Sequence, residues 1–348
     1  MIAFYTDPHI GINRIAGTTP ESRRKLSNRI YQQCLDLNAE YDGVPIVCLG
    51  DLFDSFSNSE LFIEQAIEII KTQFCILAGN HDLVNRSDAV GSLQLLKTLY
   101  PNKILITEFG GHGAHITAVP DEAILISIPH VATQELFEES LEHAYTQAAY
   151  KAYKEPRILL LHCNFNLSYD NISETTLNLS SKWAEQLLNV FSYVLLGHEH
   201  IHRSLYDDRL VILGNIHPTG FADIADKYCW TFYNGILSKH LIWSKSSGYA
   251  EVDFNQLPIT TSAEFIRIVG KAKPEDLLTL SKNINKMWKT NDSVLAIKMD
   301  VEVEDTLLQL TSSKEVTLKT LPDMIREELR GTPALYKLWV ELSGDLYA

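Results

Sequence analysis

Short apolar runs alternate with long amphipathic stretches over the first two thirds of this chain, and this alternation limits the possible folds most strongly. Six runs suit strands that are buried on both faces: Ile2 to Thr6, Pro45 to Leu49, Phe74 to Ala78, Ile124 to Ile128, Ile158 to His162 and Tyr193 to Gly197. The stretches between them suit helices: Glu21 to Asn38, Glu60 to Lys71, Gln134 to Lys154 and Ser181 to Val190. Strands that alternate with helices in this way predict an α/β sandwich.

The region after the sixth run has a different pattern. From His202 to Trp243 the helical patterns stop and short alternating runs follow, with a strong hairpin signal at Asn234-Gly235. We expect these runs to be antiparallel strands that close one sheet. Ser246 to Gly248, followed by Pro258, marks a boundary. The first domain is therefore predicted to span residues 1–250.

Two smaller segments follow this boundary. Residues 254–310 predict a small α+β domain, with a strand from Glu264 to Gly270, a helix from Pro274 to Lys289 and a strand from Ser293 to Val303. Residues 316–348 carry leucine-rich stripes at helical spacing and predict a helical segment.

The charge is unevenly distributed. The 348 residues include 30 Lys and Arg against 44 Asp and Glu, a net charge of −14. Residues 1–253 hold 18 basic and 30 acidic side chains, whereas residues 254–348 hold 12 and 14. An acidic body resists binding to a polyanion, because Lys and Arg that neutralise phosphates supply most non-specific nucleic-acid affinity. If the substrate is DNA, divalent cations or a partner must compensate.

Cysteine usage and hydropathy indicate the compartment. The five cysteines are scattered and form no Cys-x-x-Cys pair, which is typical of reduced core thiols. Asp7 lies too close to the first residue to leave room for a secretory signal. No stretch reaches the roughly 18 uninterrupted apolar residues of a membrane span. We expect a cytoplasmic protein that does not enter a membrane.

Five of the predicted strands are followed at once by metal-binding side chains. The segments are Thr6-Asp7-Pro8-His9, Gly50-Asp51-Leu52-Phe53-Asp54, Gly79-Asn80-His81-Asp82, Leu161-His162-Cys163-Asn164 and Gly197-His198-Glu199-His200. Loops that leave the carboxyl ends of strands converge on one crevice in α/β sheets. Any single loop of this kind is more often a turn or a hydrogen-bonded structural residue. Five in this order predict a metal centre.

The residue types indicate which metals suit this centre. Carboxylate, imidazole and amide donors bind borderline divalent ions, and no cysteine pair indicates a structural zinc site. We expect two divalent ions, manganese first, with magnesium, iron or zinc as alternatives. Two ions about 3.5–4 Å apart can activate water and neutralise phosphate charge during in-line displacement. A carboxylate must bridge such ions, and Asp51 is best placed to do so.

The pattern Asp-x-His, Gly-Asp-x-x-Asp, Gly-Asn-His-Asp, His and Gly-His-x-His resembles the calcineurin-like metallophosphoesterase superfamily over roughly residues 1–245. The resemblance implies a four-layer αββα sandwich. It also implies two ligand sets that share one residue: Asp7, His9, Asp51 and His200 for one ion, and Asp51, Asn80, His162 and His198 for the other. The histidine corresponding to His81 protonates or stabilises the leaving oxygen in the resembling enzymes, supported by the carboxylate corresponding to Asp54.

Within the superfamily, the Gly-Asp-Leu-Phe-Asp motif at residues 50–54 most resembles DNA double-strand-break repair nucleases of the SbcD type. Protein phosphatases continue this motif with Arg-Gly, whereas this chain continues with Ser55-Phe56. SbcD-type enzymes have a Gly-Ser-x-x-Arg-type loop after Gly-His-x-His, and residues 214–221 lack this Ser and Arg. His217 in this loop is either an extra phosphate contact or, as we expect, a surface histidine.

The resemblance makes residues 254–310 a capping domain that binds DNA. The stretch from Arg267 to Lys289 holds six Lys and Arg against two acidic residues. Lys282, Lys286 and Lys289 are the candidate DNA contacts. A charge run on a helix is equally typical of a solvated face, and that alternative stays open.

The resemblance also implies partners. In SbcD-type nucleases a C-terminal helical element binds the coiled-coil root of an SbcC-type ATPase, so residues 316–348 are expected either to dock there or to pack on their own domain. The enzyme would act as a homodimer within a heterotetramer.

The resemblance, together with the metal-binding motifs, implies a metal-dependent DNA exonuclease or endonuclease subunit that hydrolyses phosphodiester bonds in DNA repair, recombination or replication. The ATPase would supply DNA affinity. The alternative is a small-molecule phosphodiesterase or nucleotide hydrolase on the same fold. A non-catalytic scaffold is disfavoured, because every expected ligand and His81 are present.

Overall fold

The computed structural model describes residues 1–12, 20–84, 90–107, 113–150, 153–167 and 176–303. Its strands are β1 (Ile2–Tyr5), β2 (Ile46–Cys48), β3 (Cys75–Leu77), β4 (Ile104–Leu105), β5 (His115–Val119), β6 (Ala123–Ile128), β7 (Arg157–His162), β8 (Asn164–Phe165), β9 (Asn178–Leu179), β10 (Tyr193–Gly197), β11 (Arg203–Leu205), β12 (Leu210–Ile212), β13 (Lys227–Tyr233), β14 (Ile236–Trp243), β15 (Tyr249–Asp253), β16 (Phe265–Ala272) and β17 (Ala296–Val303). Its α-helices are α1 (Pro20–Glu40), α2 (Glu60–Thr72), α3 (Ser92–Leu99), α4 (Gln134–Tyr150), α5 (Ser181–Leu187), α6 (Lys245–Gly248) and α7 (Leu277–Thr290). Among the described helices, none combines the length and the apolar composition needed to cross a bilayer.

The predicted helical segment 316–348 and residues 304–310 of the predicted capping domain lie outside the described residues.

Two six-stranded sheets form the centre of the fold. The first has the order β14-β13-β1-β2-β3-β4, with β1 to β4 parallel and β13 and β14 antiparallel. The second has the order β11-β12-β10-β7-β6-β5, with antiparallel strands only at its two edges. Every residue of β1, β2, β3 and β6 is buried, as expected for parallel strands covered on both faces.

The sheets pack face to face, and helices cover their outer faces. Phe4 and Leu77 of the first sheet lie in one apolar core with Leu125, Leu160 and Leu195 of the second. Helices α1, α2 and α3 pack on the outer face of the first sheet, and α4 and α5 pack on the outer face of the second. The predicted four-layer αββα sandwich is confirmed.

The strands between His202 and Trp243 divide between the two sheets. The pair β11 and β12 extends the second sheet, whereas β13 and β14 extend the first. The expectation that this whole stretch closes one sheet is therefore wrong, because each sheet had an open edge for one pair. Asn234 and Gly235 form the β13–β14 turn with φ of +51° and +81°. These left-handed values suit a type I′ turn and confirm the predicted hairpin.

A separate three-stranded parallel sheet follows, made of β15, β16 and β17. Helix α7 packs on it, with Leu280 and Met287 in one core with Ile266, Ile268 and Ile297. The predicted strand, helix and strand are present, and β15 is a strand that was not predicted. Residues 249–303 are called the accessory unit below.

Candidate metal centre

The carboxyl ends of five strands meet at one edge of the sandwich. They are β1, β2 and β3 of the first sheet and β7 and β10 of the second. Parallel strands that end at a common edge bring their following loops together. The structure accordingly places all seven predicted ligands in one cluster: Asp7, His9, Asp51, Asn80, His162, His198 and His200.

One part of this cluster, called the first group, consists of Asp7, His9 and His200. One ligand atom of each lies within 4.8 Å of the others. The Nε2 atoms of His9 and His200 are 3.0 Å apart, and the Asp7 Oδ1 is 3.9 Å from the His9 Nε2. These three donors face a common point, as a cation requires.

The second group consists of Asp51, Asn80, His162 and His198. Ligand atoms of Asp51, His162 and His198 lie within 4.8 Å of one another. The Oδ1 of Asn80 lies 3.1 Å from the His162 Nε2 and 2.9 Å from the His198 Nδ1. The two groups contain the residues that the resemblance implies for two ions, apart from Asp51, which the resemblance assigns to both. Ligand atoms of His9, Asp51 and His81 also lie within 4.8 Å of one another.

Asp51 lies between the two groups. Its Oδ2 is 3.9 Å from the Nε2 of His9 and 3.3 Å from the Nε2 of His162. Its other oxygen, Oδ1, accepts a hydrogen bond of 2.8 Å from the backbone N–H of His81. The carboxylate is thus fixed through one oxygen while the other faces both groups, which is the geometry that a bridging ligand needs.

Asp7 is fixed in the same way. Its Oδ2 accepts hydrogen bonds from the Thr6 hydroxyl at 2.6 Å and from the backbone N–H of His198 at 2.9 Å. Its Oδ1 is buried and accepts no hydrogen bond from the described residues. A buried carboxylate oxygen without a donor suits a bound cation, because burying it uncompensated would be unfavourable. The donor set and this oxygen fit a divalent metal.

The charged side chains at the centre shift one another's pKa values. Burial raises the pKa of Asp7. Burial acts in the same direction on Asp51, but the His162 imidazole outweighs it and holds the pKa of Asp51 well below its usual range. Burial alone would lower the pKa of His162, yet the carboxylates of Asp51 and Asp7 raise it to about 9. Buried carboxylates at this centre therefore favour a positive charge beside them.

Local backbone geometry aims the ligands. Asp7, His9, Asp51 and His198 have left-handed φ values of +52°, +49°, +49° and +88°, which are unfavourable by about 1–3 kcal/mol each for residues with a Cβ. Gly50, at φ +110°, lies so close to His162 that a Cβ there would overlap the imidazole. The His162 Nδ1 donates to the backbone carbonyl of Leu49 at 2.7 Å, which turns Nε2 towards the second group.

His81 stands at the open side of the centre. Its side chain is 29% exposed, and its Nε2 lies 4.0 Å from the Asp51 Oδ2. We expected the Asp54 carboxylate to support this imidazole, but the structure corrects that pairing. The His81 Nδ1 lies 3.1 Å from the backbone carbonyl oxygen of Asp54, whereas the Asp54 Oδ1 lies 3.6 Å from the His9 Nδ1. The loop places the backbone carbonyl of Asp54 beside His81 and the Asp54 Oδ1 beside His9.

Asp82 organises the motif loops, although it was not predicted as a site residue. Its carboxylate accepts hydrogen bonds from the backbone N–H groups of Leu52, Phe53 and Gly79 at 3.2, 3.0 and 2.9 Å. Burial, and then the nearby Asp51 charge, raise its pKa to about 7. Its place in the Gly-Asn-His-Asp motif was the signal that could have identified it.

His217 is not a surface residue, so that expectation is wrong. Its side chain is fully buried, and its Nε2 lies 3.0 Å from the Oε2 of Glu264. The loop after β12 folds inward and packs against β16 through ring contacts between His217 and Phe265. A buried histidine paired with a carboxylate is not available to contact a phosphate from solvent.

The candidate DNA contacts lie on α7 of the accessory unit. Lys282, Lys286 and Lys289 are exposed and follow one stripe of the helix. No ion pair within the described ranges involves them, whereas Arg267 pairs with Asp300 and Lys271 pairs with Glu302. The predicted basic stretch is thus neutralised on the sheet and keeps its charge on the helix.

The comparison with known protein families agrees with this centre. The family model for the calcineurin-like phosphoesterases matches residues 1–202, more than half of the chain. Comparison with curated proteins gives no match. Phosphopantetheinyl hydrolase from Mycobacterium tuberculosis is a similar solved structure, with 13% identity over 62% of this chain and 89% of that chain and a TM-score of 0.40. A putative 5′-nucleotidase from Staphylococcus aureus has 14% identity over 69% of this chain and 53% of that chain, with a TM-score of 0.42. NAD nucleotidase from Haemophilus influenzae has 13% identity over 86% of this chain and 56% of that chain, with a TM-score of 0.37. Similarity at this level carries no argument about the substrate.

Proposed function

Since the chain belongs to the calcineurin-like phosphoesterase family, whose fold binds two divalent metal ions, we propose that this metal-dependent hydrolase cleaves phosphodiester bonds in DNA. The bound ions supply an activated water and neutralise charge on the phosphate. The two ligand groups around Asp51 fit such a pair of ions. We propose manganese as the native metal.

The lysine stripe on α7, made of Lys282, Lys286 and Lys289, is the observation that supports DNA as the substrate. Three exposed lysines, without an ion pair in the described ranges, stand on an otherwise acidic protein. Lys289 also lines a cleft of about 470 Å³ with Lys25 and Glu21 of α1. Glu21 pairs with Lys25 there, so the uncompensated positive charge of this cleft comes from Lys289. Exposed lysines that are not neutralised by a neighbouring carboxylate can neutralise backbone phosphates, and this neutralisation supplies most non-specific nucleic-acid affinity.

His81 is the proposed general acid. Its partial exposure leaves the imidazole accessible to a substrate, and its Nε2 faces the centre near Asp51. The backbone carbonyl of Asp54 holds the Nδ1–H and so fixes the ring orientation. A fixed imidazole within reach of the leaving oxygen can donate its Nε2 proton as the phosphorus–oxygen bond breaks. The role of Asp54 is then to present its backbone carbonyl.

The partners are also proposals. An SbcC-type ATPase would supply the DNA affinity that the acidic sandwich lacks, bound through residues 316–348 in the cytoplasm. A homodimer would form the core of that heterotetramer. Leu61 of α2 and Leu95 and Leu99 of α3 are exposed apolar side chains on helices that cover the first sheet, which favours these helices as the contact between copies.

The first experiment compares hydrolysis of linear duplex DNA with hydrolysis of a small chromogenic phosphodiester, both with added manganese. We expect wild type to cleave DNA and His81→Ala to lose that cleavage while it still binds metal. His143→Ala is the matched control, because His143 is an exposed residue of α4. Full DNA cleavage by His81→Ala would contradict the general-acid role.

A second experiment tests the lysine stripe. Reversing Lys282, Lys286 and Lys289 to Glu should weaken DNA binding and flatten its salt dependence, by about 0.9 in log–log slope for each lost phosphate contact. The control triple, Lys71, Lys154 and Lys182 to Glu, makes the same change of charge at exposed positions of the sandwich. Equal effects of both triples would leave α7 as an ordinary solvated face.

The small-molecule alternative is favoured by one observation, the net charge of −14. An acidic enzyme without a partner suits a substrate with few phosphates. Such an enzyme would hydrolyse mononucleotides or dinucleoside polyphosphates faster than DNA, and the α7 triple would leave that activity unchanged. Cleavage of the small ester alone would shift the assignment to this class.

A further inference from the structure

The loop between β12 and β13 contains a buried acid that lies outside every sequence motif. Asp223 is 3% exposed, and its Oδ2 lies 3.3 Å from the Nδ1 of His200. The other ring nitrogen of His200, Nε2, faces the first group, 3.0 Å from the Nε2 of His9. Asp223 therefore contacts the side of the imidazole that points away from the metal centre.

Asp223 is held in this position by its own loop. It accepts hydrogen bonds from the backbone N–H groups of Thr219 and Gly220, both at 2.9 Å, and from the Asn215 side-chain amide at 2.8 Å. Burial would raise its pKa, but the hydrogen bond to His200 and the charge of Lys227 outweigh burial and hold the pKa below its usual range. The carboxylate is ionised and cannot rotate without losing several donors.

The Thr219 hydroxyl favours a hydrogen on the Nδ1 of His200. Its hydroxyl lies 3.3 Å from the His200 Nδ1 and also donates to the Asp223 Oδ2 at 3.0 Å. Because that hydroxyl hydrogen is directed to the carboxylate, both neighbours of Nδ1 present oxygen lone pairs. These lone pairs therefore favour the Nδ1–H form of His200.

Lys227 completes the arrangement from β13. Its side chain is 1% exposed, and its Nζ donates to the backbone carbonyl of His200 at 2.9 Å and lies 3.9 Å from the Asp223 Oδ2. Burial lowers the pKa of Lys227 to about 8. Lys227 thus offsets the buried charge of Asp223 and fixes the backbone of His200, while Asp223 contacts the His200 imidazole.

We infer that Asp223 is a positioning residue for His200: it accepts the Nδ1–H, selects the tautomer that binds metal through Nε2, and thereby sets the affinity of the first group for its ion. Carboxylates that accept the second N–H of a metal-binding histidine fix the ring and make it a stronger donor. The inference rests on the proposed metal-dependent function but not on DNA as the substrate.

The second group has a different outer support, which makes the inference selective. His162 donates its Nδ1–H to the backbone carbonyl of Leu49, so no substitution at position 223 removes that contact. Loss of the Asp223 charge should weaken one of two metal sites and leave the other. A general loss of structure would weaken both.

The experiment is a calorimetric titration of the full chain with Mn²⁺, for wild type, Asp223→Asn and Asp226→Asn. Asp226 is the matched control, because it is exposed and its carboxylate accepts hydrogen bonds from the Ser244 hydroxyl and the Lys245 backbone N–H. We expect Asp223→Asn to bind one ion as wild type does and the other about 10–100-fold more weakly, and Asp226→Asn to bind both normally. Two unchanged sites in Asp223→Asn would overturn the inference.

If Asp223→Asn does not fold, the tautomer of His200 in the wild-type protein still tests the inference. Imidazole ¹⁵N chemical shifts distinguish the two neutral tautomers, and a His200→Gln sample assigns the His200 signals. An Nδ1–H tautomer for His200 supports the inference, and an Nε2–H tautomer overturns it. Neither measurement involves cleavage, so a failed nuclease assay and a failed positioning role remain distinguishable.

Discussion

Glu264 joins four segments of the chain where the accessory unit meets the sandwich, and its removal gives the sharpest stability prediction. Its Oε1 accepts from Arg29 of α1 at 3.0 Å. Its Oε2 accepts from Trp243 at the end of β14 at 2.6 Å and lies 3.0 Å from the His217 Nε2. The Glu264 side chain is only 16% exposed. The substitution Glu264→Ala would leave these donors without their acceptor.

The magnitude follows from the burial of each donor. His217 and Trp243 are buried, and a buried donor that loses its acceptor destabilises a protein by about 1–3 kcal/mol. Arg29 is partly exposed, so its contact contributes at most about 1 kcal/mol. We expect Glu264→Ala to lower the free energy of unfolding by about 2–7 kcal/mol at pH 7.

Urea denaturation of the full chain, followed by fluorescence and circular dichroism, measures this loss. Glu251→Ala is the matched control, because that carboxylate is exposed and pairs with Arg267 at the surface. Its loss should be below about 1 kcal/mol. Equal stability of the two variants at pH 7 would refute the reasoning.

The same network predicts the direction of a pH effect. Burial opposes ionisation of Glu264, but the hydrogen bond with His217 outweighs it and lowers the pKa of Glu264 to about 2. A carboxylate with a depressed pKa stabilises the fold above its unfolded pKa, about 4.3, and loses that contribution as the pH falls towards 2. The difference between wild type and Glu264→Ala should therefore narrow between pH 5 and pH 3.

Three further predictions concern the metal loops and the thiols. Gly50→Ala should weaken metal binding about 10-fold or more in calorimetry, since its Cβ would overlap the His162 ring. Gly43→Ala is the control, because Gly43 also has a left-handed φ but lies in open space. This control should lower the free energy of unfolding by about 1 kcal/mol without changing metal affinity. Asp82→Asn should lower the free energy of unfolding, measured in urea, by about 2 kcal/mol, because an amide cannot accept all three backbone N–H bonds. An unchanged free energy of unfolding would contradict the role of Asp82 in holding the motif loops together. Burial raises the pKa of all five cysteines, that of Cys75 and Cys229 to about 12, so a disulfide reagent at pH 8 should react with none of them in the native protein and with five after denaturation.

Much of the centre could be predicted because its signals are local. The residues that follow β1, β2, β3, β7 and β10 are metal-binding types, and parallel strands bring such residues together whatever the details of packing. The Asn234-Gly235 turn was equally predictable, because its left-handed φ values depend on those two residues alone.

The errors arose where orientation depends on distant partners. The Asp54 carboxylate was expected beside His81, but the loop conformation turns it towards His9. His217 was expected at the surface, because a histidine in a polar loop gives no sign of burial. Its partner, Glu264, lies 47 residues further along the chain, and only the packing of the accessory unit brings the two together.

The sequence by itself determined which side chains come together at the centre and the alternation of strands and helices, because residue chemistry and hydrophobic periodicity are properties of neighbouring residues. The four αββα layers were implied by the resemblance to a known superfamily. The tertiary structure decided which nitrogen of each histidine faces the metal and how its ring is held. Asp223 holds the ring of His200, and the carbonyl of Leu49 holds the ring of His162. Each acts through a buried hydrogen bond to a residue remote in sequence, and such a bond exists only once the two sheets have packed.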